Sequence, residues 1–299
     1  MTAQAAPQRG RAGVWVLGAR PRTLVAAVVP VALGASSVGR DAISVPRTLL
    51  ALLVGVAMQI GVNYANDYFD GVRGVDTSAR LGPPRLVASR LADARDVAAA
   101  AAVAVTVAAV AGVALAAQTT WWLLPAGALS VAALALYSGG PRPYAGIGLG
   151  EVSVFVFFGL VATCGTAFVE RQSIPAGAWW LAGVAGLMAT SLLMVNNLRD
   201  IPTDSQSGKR TLAVRVGERR SRVLLAGVVA VALLLPVVGA ALGQLPKLTI
   251  AAVAAAPLAL PPLRLARRAR GRELIAALAG LSRLYLVFGA LLTALLLAA

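Results

Sequence analysis

Two polar clusters interrupt an otherwise apolar chain. Residues 63–76 read NYANDYFDGVRGVD, and residues 196–211 read NNLRDIPTDSQSGKRT. Asn66 and Asp70 are four apart, and Asn196, Asp200 and Asp204 repeat that spacing twice. A spacing of four stacks side chains on one helical face. Carboxylates grouped beside hydrocarbon repel one another and are costly to desolvate, so something positive must offset them. Asp carboxylates and Asn carbonyls are hard oxygen donors suited to Mg²⁺ or Ca²⁺. Mg²⁺ keeps waters and shares its shell with phosphate oxygens. Arg73, Arg80, Lys209 and Arg210 lie in the stretches themselves or in the loops that continue them, and such cations suit an anion held beside the metal. Acid clusters with adjacent cations are what a metal-diphosphate complex requires. Interfacial capping would account for one such cluster. Two with matching spacing argue against it and suggest an internal duplication.

The elements that must carry these clusters are membrane helices. The chain has 299 residues, 59% hydrophobic and 13% charged, with a mean hydropathy of +0.79. A soluble domain is nearer ~25% charged and has too little interior for that much apolar surface. The apolar runs do not alternate, which excludes a transmembrane barrel. Nine apolar segments are read at about 23–39, 46–69, 95–117, 121–137, 150–169, 176–197, 221–242, 248–265 and 274–298. The expected fold is an all-α polytopic membrane protein. Residues 1–14 read as a disordered cytoplasmic N-terminus, and 15–299 as a single nine-helix domain.

Charge sets the orientation. Of the 27 basic residues, Arg40, Arg47, Arg171 and Lys247 lie on one side and Arg283 falls inside the last segment; the rest lie on the other side. The positive-inside rule then places the N-terminus and both acid motifs at the cytoplasmic face of the cell membrane. The net charge of +15 is thereby a topology signal rather than a sign of nucleic acid. The lone Cys164 permits no intramolecular disulfide, and the absence of histidine excludes His-ligated metals and Ser-His-Asp catalysis.

The two acid motifs resemble those of the UbiA superfamily of intramembrane aromatic prenyltransferases, over roughly Trp15 to Gly217. Three further stretches resemble its 1,4-dihydroxy-2-naphthoate branch: ARPRTLVAAVVPVALG (19–34), GPPRLVAS (82–89) and YSGGPRPYAGIGLGEVSVFVFFGLVATCGT (137–166). Asp76 follows Asp70 by six residues, with Gly74 where the 4-hydroxybenzoate enzymes usually place an acid, which also suits the naphthoate branch. The resemblance implies nine helices around a central cavity open to lipid for the isoprenoid tail. It implies one Mg²⁺-diphosphate site made of Asn66, Asp70 and Asp76 and another of Asn196, Asp200 and Asp204. The implied substrates are a polyprenyl diphosphate and 1,4-dihydroxy-2-naphthoate, joined with loss of CO₂ to give demethylmenaquinone for menaquinone synthesis. No strong base is required, because a dihydroxy ring is already nucleophilic. Asp67 is offset by one from Asn66 and is read as secondary.

Other residues keep two readings. Arg142, in GGPRPY (139–144), suits diphosphate or the acceptor carboxylate, or is a topology marker. Arg22 suits the acceptor carboxylate, or snorkels. Tyr137 and Tyr144 suit stacking on the cation or ring, or an interfacial belt. Glu151 is a helix N-terminal acid or a cavity group, and Arg283 faces the cavity or marks a later helix start. Another aromatic acceptor, such as 4-hydroxybenzoate, is the near alternative. A secondary transporter is the distant one, disfavoured because the acids lie at one face rather than at the midplane.

Overall fold

The computed structural model describes residues 10–74 and 81–299, and all its regular elements are helical. Asp76 and Arg80 lie outside the described residues. In chain order the helices are α1 (Arg11–Ala19), α2 (Val25–Ser36), α3 (Val45–Val72), α4 (Ala94–Gln118), α5 (Leu123–Ser138), α6 (Gly150–Arg171), α7 (Ala176–Gln206), α8 (Leu212–Ala241), α9 (Lys247–Arg268) and α10 (Leu274–Leu297). Seven of the described helices are long and apolar enough to cross a bilayer, and eight if the bent α1–α2 pair is one span. At 16 residues α5 spans about 24 Å, short of a hydrocarbon layer of about 30 Å. The chain is therefore a multi-pass membrane protein, and the expected count of nine spans is not reached by length.

α1 starts at Arg11, inside the stretch read as disordered. Val14, Trp15 and Leu17 pack on Tyr64 and Leu86, and the Tyr64 hydroxyl donates to the Trp15 carbonyl at 2.7 Å. The helical stretch 11–23 is interrupted at Arg20-Pro21 and meets α2 at a bend of 49°. Proline removes a helical hydrogen bond there, and Arg20 adopts φ 53°, ψ 69°. Polar side chains of α3 satisfy the opened backbone. Asn63 Nδ2 donates to the Ala19 carbonyl at 2.9 Å and to Thr23 Oγ1 at 3.2 Å, and Gln59 Nε2 donates to Asn63 Oδ1 at 3.3 Å. In hydrocarbon such groups have no water to turn to, so the network fixes the break.

The bundle is solid on one side and hollow on the other. α7 is the most enclosed helix, with 72% of its apolar window buried against 22% for α3 and α4. Leu181, Met188, Leu225, Val229, Tyr285 and Phe288 form a dense core across α7, α8 and α10. The Tyr285 hydroxyl donates to the Ala185 carbonyl at 2.9 Å. Lipid tails are as apolar as leucine, so close approach of small residues holds such helices together. A Cβ on Gly159 would lie 2.7 Å from the Gly186 Cα, and one on Gly34 2.3 Å from the Thr163 carbonyl oxygen. The middle of α6, Phe155–Cys164, is wound as a π-helix, a form frequent at functional sites. Opposite the core, α2 to α7 enclose an apolar cavity of about 900 Å³. Phe157, Phe158 and Val161 of the π-helix are among its walls.

Candidate active site

α3 and α7 run past the expected segment ends, to Val72 and Gln206. Asn66 and Asp70 therefore sit on the last turns of one continuous helix, and Asn196, Asp200 and Asp204 on the last turns of another. All five line a single polar cavity of about 480 Å³. Arg20, Thr23, Asn66, Tyr137, Leu193 and Asn196 border both this cavity and the apolar one. A charged headgroup and an apolar tail can thus lie in one continuous space.

Each described acid has a defined partner. Asp67 points away from the cavity. Its Oδ2 and Oδ1 accept the backbone N–H groups of Leu86 and Val87 at 2.8 and 3.0 Å, and it is almost fully buried. This pins the loop after residue 80 across α3. Gly71 makes room for it, since a Cβ there would lie 2.6 Å from Val87 Cβ. The pinned loop carries Arg85 to within 3.7 Å of Asp70, both side chains buried. Lys209 Nζ reaches both Asp70 oxygens from the other motif at 3.3 Å. Asp200 is held by its neighbour Arg199, Nε to Oδ1 at 2.8 Å and Nη2 to Oδ2 at 2.7 Å, the strong bidentate geometry. Asp204 Oδ2 accepts from Thr211 Oγ1 at 3.5 Å, and its backbone carbonyl accepts the Lys209 backbone N–H at 2.9 Å. Asn66 Oδ1 accepts from Ser138 Oγ at 2.8 Å, and Asn196 Nδ2 donates to the Leu192 carbonyl at 3.1 Å.

Of the cations expected from sequence, Lys209 and Arg22 border the polar cavity, Arg22 with an exposed side chain. Arg73, Arg142 and Arg210 do not line it. Arg73 donates to the Ser138 carbonyl at 2.7 Å and to the Gly140 carbonyl, and lies 5.8 Å over the Phe69 ring. Its guanidinium thus serves the α5 C-terminus, where unpaired carbonyls attract cations. The side chains of Arg142 and Arg210 are exposed, because their segment is held through the Arg210 backbone N–H on the Gly146 carbonyl at 2.7 Å. Arg283 is exposed on α10, away from both cavities.

Arg20, Arg85 and Arg199 take their places on the cavity wall. Sequence reasoning read these three as topology markers. Arg199 had a signal, being the cation within the N-x-x-x-D run itself. The walls carry five cations (Arg20, Arg22, Arg85, Arg199, Lys209) against three carboxylates (Asp70, Asp200, Asp204). That excess suits an anion, while the carboxylates and Asn carbonyls supply hard donors for a divalent cation. Among the described residues no three His, Cys, Asp or Glu side chains form a ready-made metal cluster. A metal held here would need oxygens from phosphate or water to complete its shell.

Tyr137 and Tyr144 meet edge to face, centroids 5.4 Å apart at 89°. The Tyr144 hydroxyl donates to the Ala133 carbonyl at 2.8 Å and lies 3.0 Å from Ser153 Oγ. Burial pushes this phenol above its ordinary pKa, partly offset by the Ser153 contact, so it stays protonated and keeps that bond. Tyr137 stands where the two cavities join.

Comparison with known proteins places this architecture. Residues 27–292 match the model of the UbiA prenyltransferase family. The chain is 44% identical over 263 residues to 1,4-dihydroxy-2-naphthoate octaprenyltransferase of Mycobacterium tuberculosis, covering 87% of this chain and 89% of that protein. It is 34% identical to the protein of the same name from Escherichia coli, covering 72% of each. Among solved structures, a UbiA homolog from Aeropyrum pernix superposes with a TM-score of 0.68 at 16% identity, covering 90% of this chain and 96% of that one. One from Archaeoglobus fulgidus bound to DMAPP and Mg²⁺ does so at 0.62 and 13%, covering 93% and 98%.

Proposed function

The chain belongs to the UbiA prenyltransferase family, and on that premise we propose that it transfers a polyprenyl group from polyprenyl diphosphate to 1,4-dihydroxy-2-naphthoate. The acceptor loses its carboxylate as CO₂, giving the demethylmenaquinone skeleton at the quinol level for menaquinone synthesis. The observation that carries this reading is the joining of two cavities. Both Asp motifs border the polar one, and six residues border it and the apolar one together. The acceptor assignment is supported by the 1,4-dihydroxy-2-naphthoate enzyme that is 44% identical to this chain over 263 residues.

In this reading Asn66, Asp70, Asn196, Asp200 and Asp204, with Asp76, hold Mg²⁺. Bound there, Mg²⁺ neutralises the diphosphate and makes it a better leaving group. Arg85 and Lys209 already face Asp70 and turn to the phosphate oxygens, while Arg20 lies nearer the reacting carbon. The apolar walls of Phe157, Phe158 and Val161 keep water from capturing the allylic cation. The site faces the cytoplasm, with the N-terminus on the same side, and residues 15–299 act as one domain in the cell membrane.

The test is a competition. Purified protein with Mg²⁺ and a labelled polyprenyl diphosphate is offered 1,4-dihydroxy-2-naphthoate and 4-hydroxybenzoate together. The prenylated naphthoquinol is the expected lipid. Exclusive prenylation of 4-hydroxybenzoate would overturn the acceptor, and flux of either compound across sealed vesicles without a covalent product would overturn the reaction.

A further inference from the structure

One buried acid has no task in the site as described. Glu151, near the start of α6, is 7% exposed. Its Oε1 accepts a hydrogen bond from Asn197 Nδ2 at 2.9 Å. Its Oε2 is buried and has no hydrogen-bond partner among the described residues. An ionised carboxylate is an acceptor with about four lone-pair sites, and burying one so sparsely bonded is costly. Glu151 is therefore built to meet a proton or a donor that the fold does not supply.

Its neighbours indicate the source. Asn197 is part of the polar cavity wall. Tyr137 stands at the cavity junction, and the Cβ that Gly150 lacks would lie 3.5 Å from its hydroxyl. Glu151 is an electrostatic neighbour of that phenol, along with Tyr144, Asp70 and Arg20. The reacting carbon of a prenyl diphosphate is the one that joins headgroup to tail, so it lies at this junction. The acceptor ring must lie there too.

We infer that Tyr137 contacts a ring hydroxyl of the aromatic acceptor, and that Glu151 takes up its proton through Tyr137 as the carbon–carbon bond forms. This rests on the acceptor reading above. The Tyr137 hydroxyl makes no hydrogen bond to Glu151 Oε2 in the structure. With the acceptor in place it turns to Oε2, and the acceptor's hydroxyl proton passes to the Tyr137 oxygen while the Tyr137 proton passes to Oε2. The freed electron pair forms a ketone at the hydroxyl-bearing carbon, and the ring's π pair bonds the neighbouring, carboxylate-bearing carbon to the allylic carbon. The bond from the allylic carbon to diphosphate oxygen breaks with its pair on oxygen. The product is a β-keto acid. It loses CO₂, the released pair restores the aromatic ring, and the proton returns by the reverse path to the ring oxygen. Glu151 ends ionised, as it began. Tyr137 is the catalytic residue in this scheme, and Glu151 acts through it.

Glu151→Gln and Tyr137→Phe each remove one proton position and keep the side-chain shape. With the full chain in lipid nanodiscs, kcat is expected to fall ~100-fold or more, the usual size of a general-base effect. KM for the diphosphate should change by less than about threefold, because ground-state binding is untouched. Glu151→Asp should recover part of the rate. Glu151→Ala should regain rate as formate is added but not as chloride is added, a rescue that a packing defect does not show. Wild-type kcat in either isosteric variant, or a folded Glu151→Ala that formate does not restore, would overturn the inference. Should Glu151→Gln not give a monodisperse protein, Tyr137→Phe decides alone. The acceptor reading fails separately: if wild type prenylates only another phenol, the same variants are measured on that phenol, and an unchanged kcat there overturns the relay.

Discussion

Lys209 Nζ lies 3.3 Å from both carboxylate oxygens of Asp70, a residue 139 positions earlier in the chain. This contact ties the end of one acid motif to the other, and Arg85 reaches the same carboxylate at 3.7 Å. In the proposed reaction, the cations that balance Asp70 are the ones that receive diphosphate. Lys209→Ala removes one charge-assisted contact to the anion, worth about 1.5–3 kcal/mol. KM for polyprenyl diphosphate should rise about 10-fold or more, at ~1.4 kcal/mol per decade. Steady-state kinetics at fixed acceptor check this, and an unchanged KM would show that Lys209 serves Asp70 alone.

Asp70→Asn and Asp200→Asn should each abolish turnover while the protein still inserts. Both substitutions keep volume and remove one buried charge. Loss of a metal ligand costs several kcal/mol of barrier, or ~100-fold or more in rate. Binding of Mn²⁺ followed by electron paramagnetic resonance gives a readout independent of activity and should weaken in both variants. Near-wild-type turnover at either position would reduce these acids to charge partners of the neighbouring cations.

Much of this site was legible from spacing. The interval of four put Asn66 with Asp70, and Asn196 with Asp200 and Asp204, and the structure lines one cavity with all five. Asp67, offset by one from Asn66, meets the Leu86 and Val87 N–H groups instead. Arg20 and Arg85 were not legible, because a functional arginine and a topology arginine look alike in a chain with 27 basic residues. Arg85 is brought to Asp70 by a loop contact to Asp67, a tertiary relationship with no local pattern. Gln59 and Asn63 did carry a signal, as amides inside an apolar run. The helical class was plain from composition. The α1–α2 break and the π-helix were not, since both depend on which backbone groups neighbouring helices can satisfy.

Asp67 yields a prediction about stability. Asp67→Ala leaves the buried N–H of Leu86 and the half-buried N–H of Val87 without their acceptor, at about 1–3 kcal/mol for the buried one and less for the other. Asp67→Asn keeps one acceptor oxygen for two donors and should fall between. Thermal unfolding in detergent should order the proteins wild type, Asn, Ala. Activity should drop in the same order, since the loop that carries Arg85 loosens. An Asp67→Ala protein with wild-type melting would show that the loop is held by apolar packing instead.

Gly186→Leu should prevent a stable bundle. A Cβ there would lie 2.9 Å from the Phe155 carbonyl oxygen and 2.7 Å from the Phe155 ring, so α6 would have to move off α7. Size-exclusion chromatography of the fluorescently tagged variant should show aggregate or loss of expression. A monodisperse, active Gly186→Leu protein would mean that the close α6–α7 approach is dispensable.

The orientation has its own test. Ser205 and Gln244 are both exposed, in stretches expected on opposite faces, and the native Cys164 is buried. In intact cells an impermeant thiol reagent should label Gln244→Cys and spare Ser205→Cys until the membrane is opened. The reverse pattern would put the diphosphate site outside.

The central claim is that one site couples loss of diphosphate to carbon–carbon bond formation and decarboxylation of a naphthoate. The direct measurement uses 1,4-dihydroxy-2-naphthoate labelled in its carboxylate and polyprenyl diphosphate labelled in its chain. Released CO₂, released diphosphate and prenylated lipid are then counted in a single reaction. Equal amounts of all three are expected, with a lipid that has lost the carboxyl label. Diphosphate released without prenylated lipid, or a lipid that keeps the label, would contradict it.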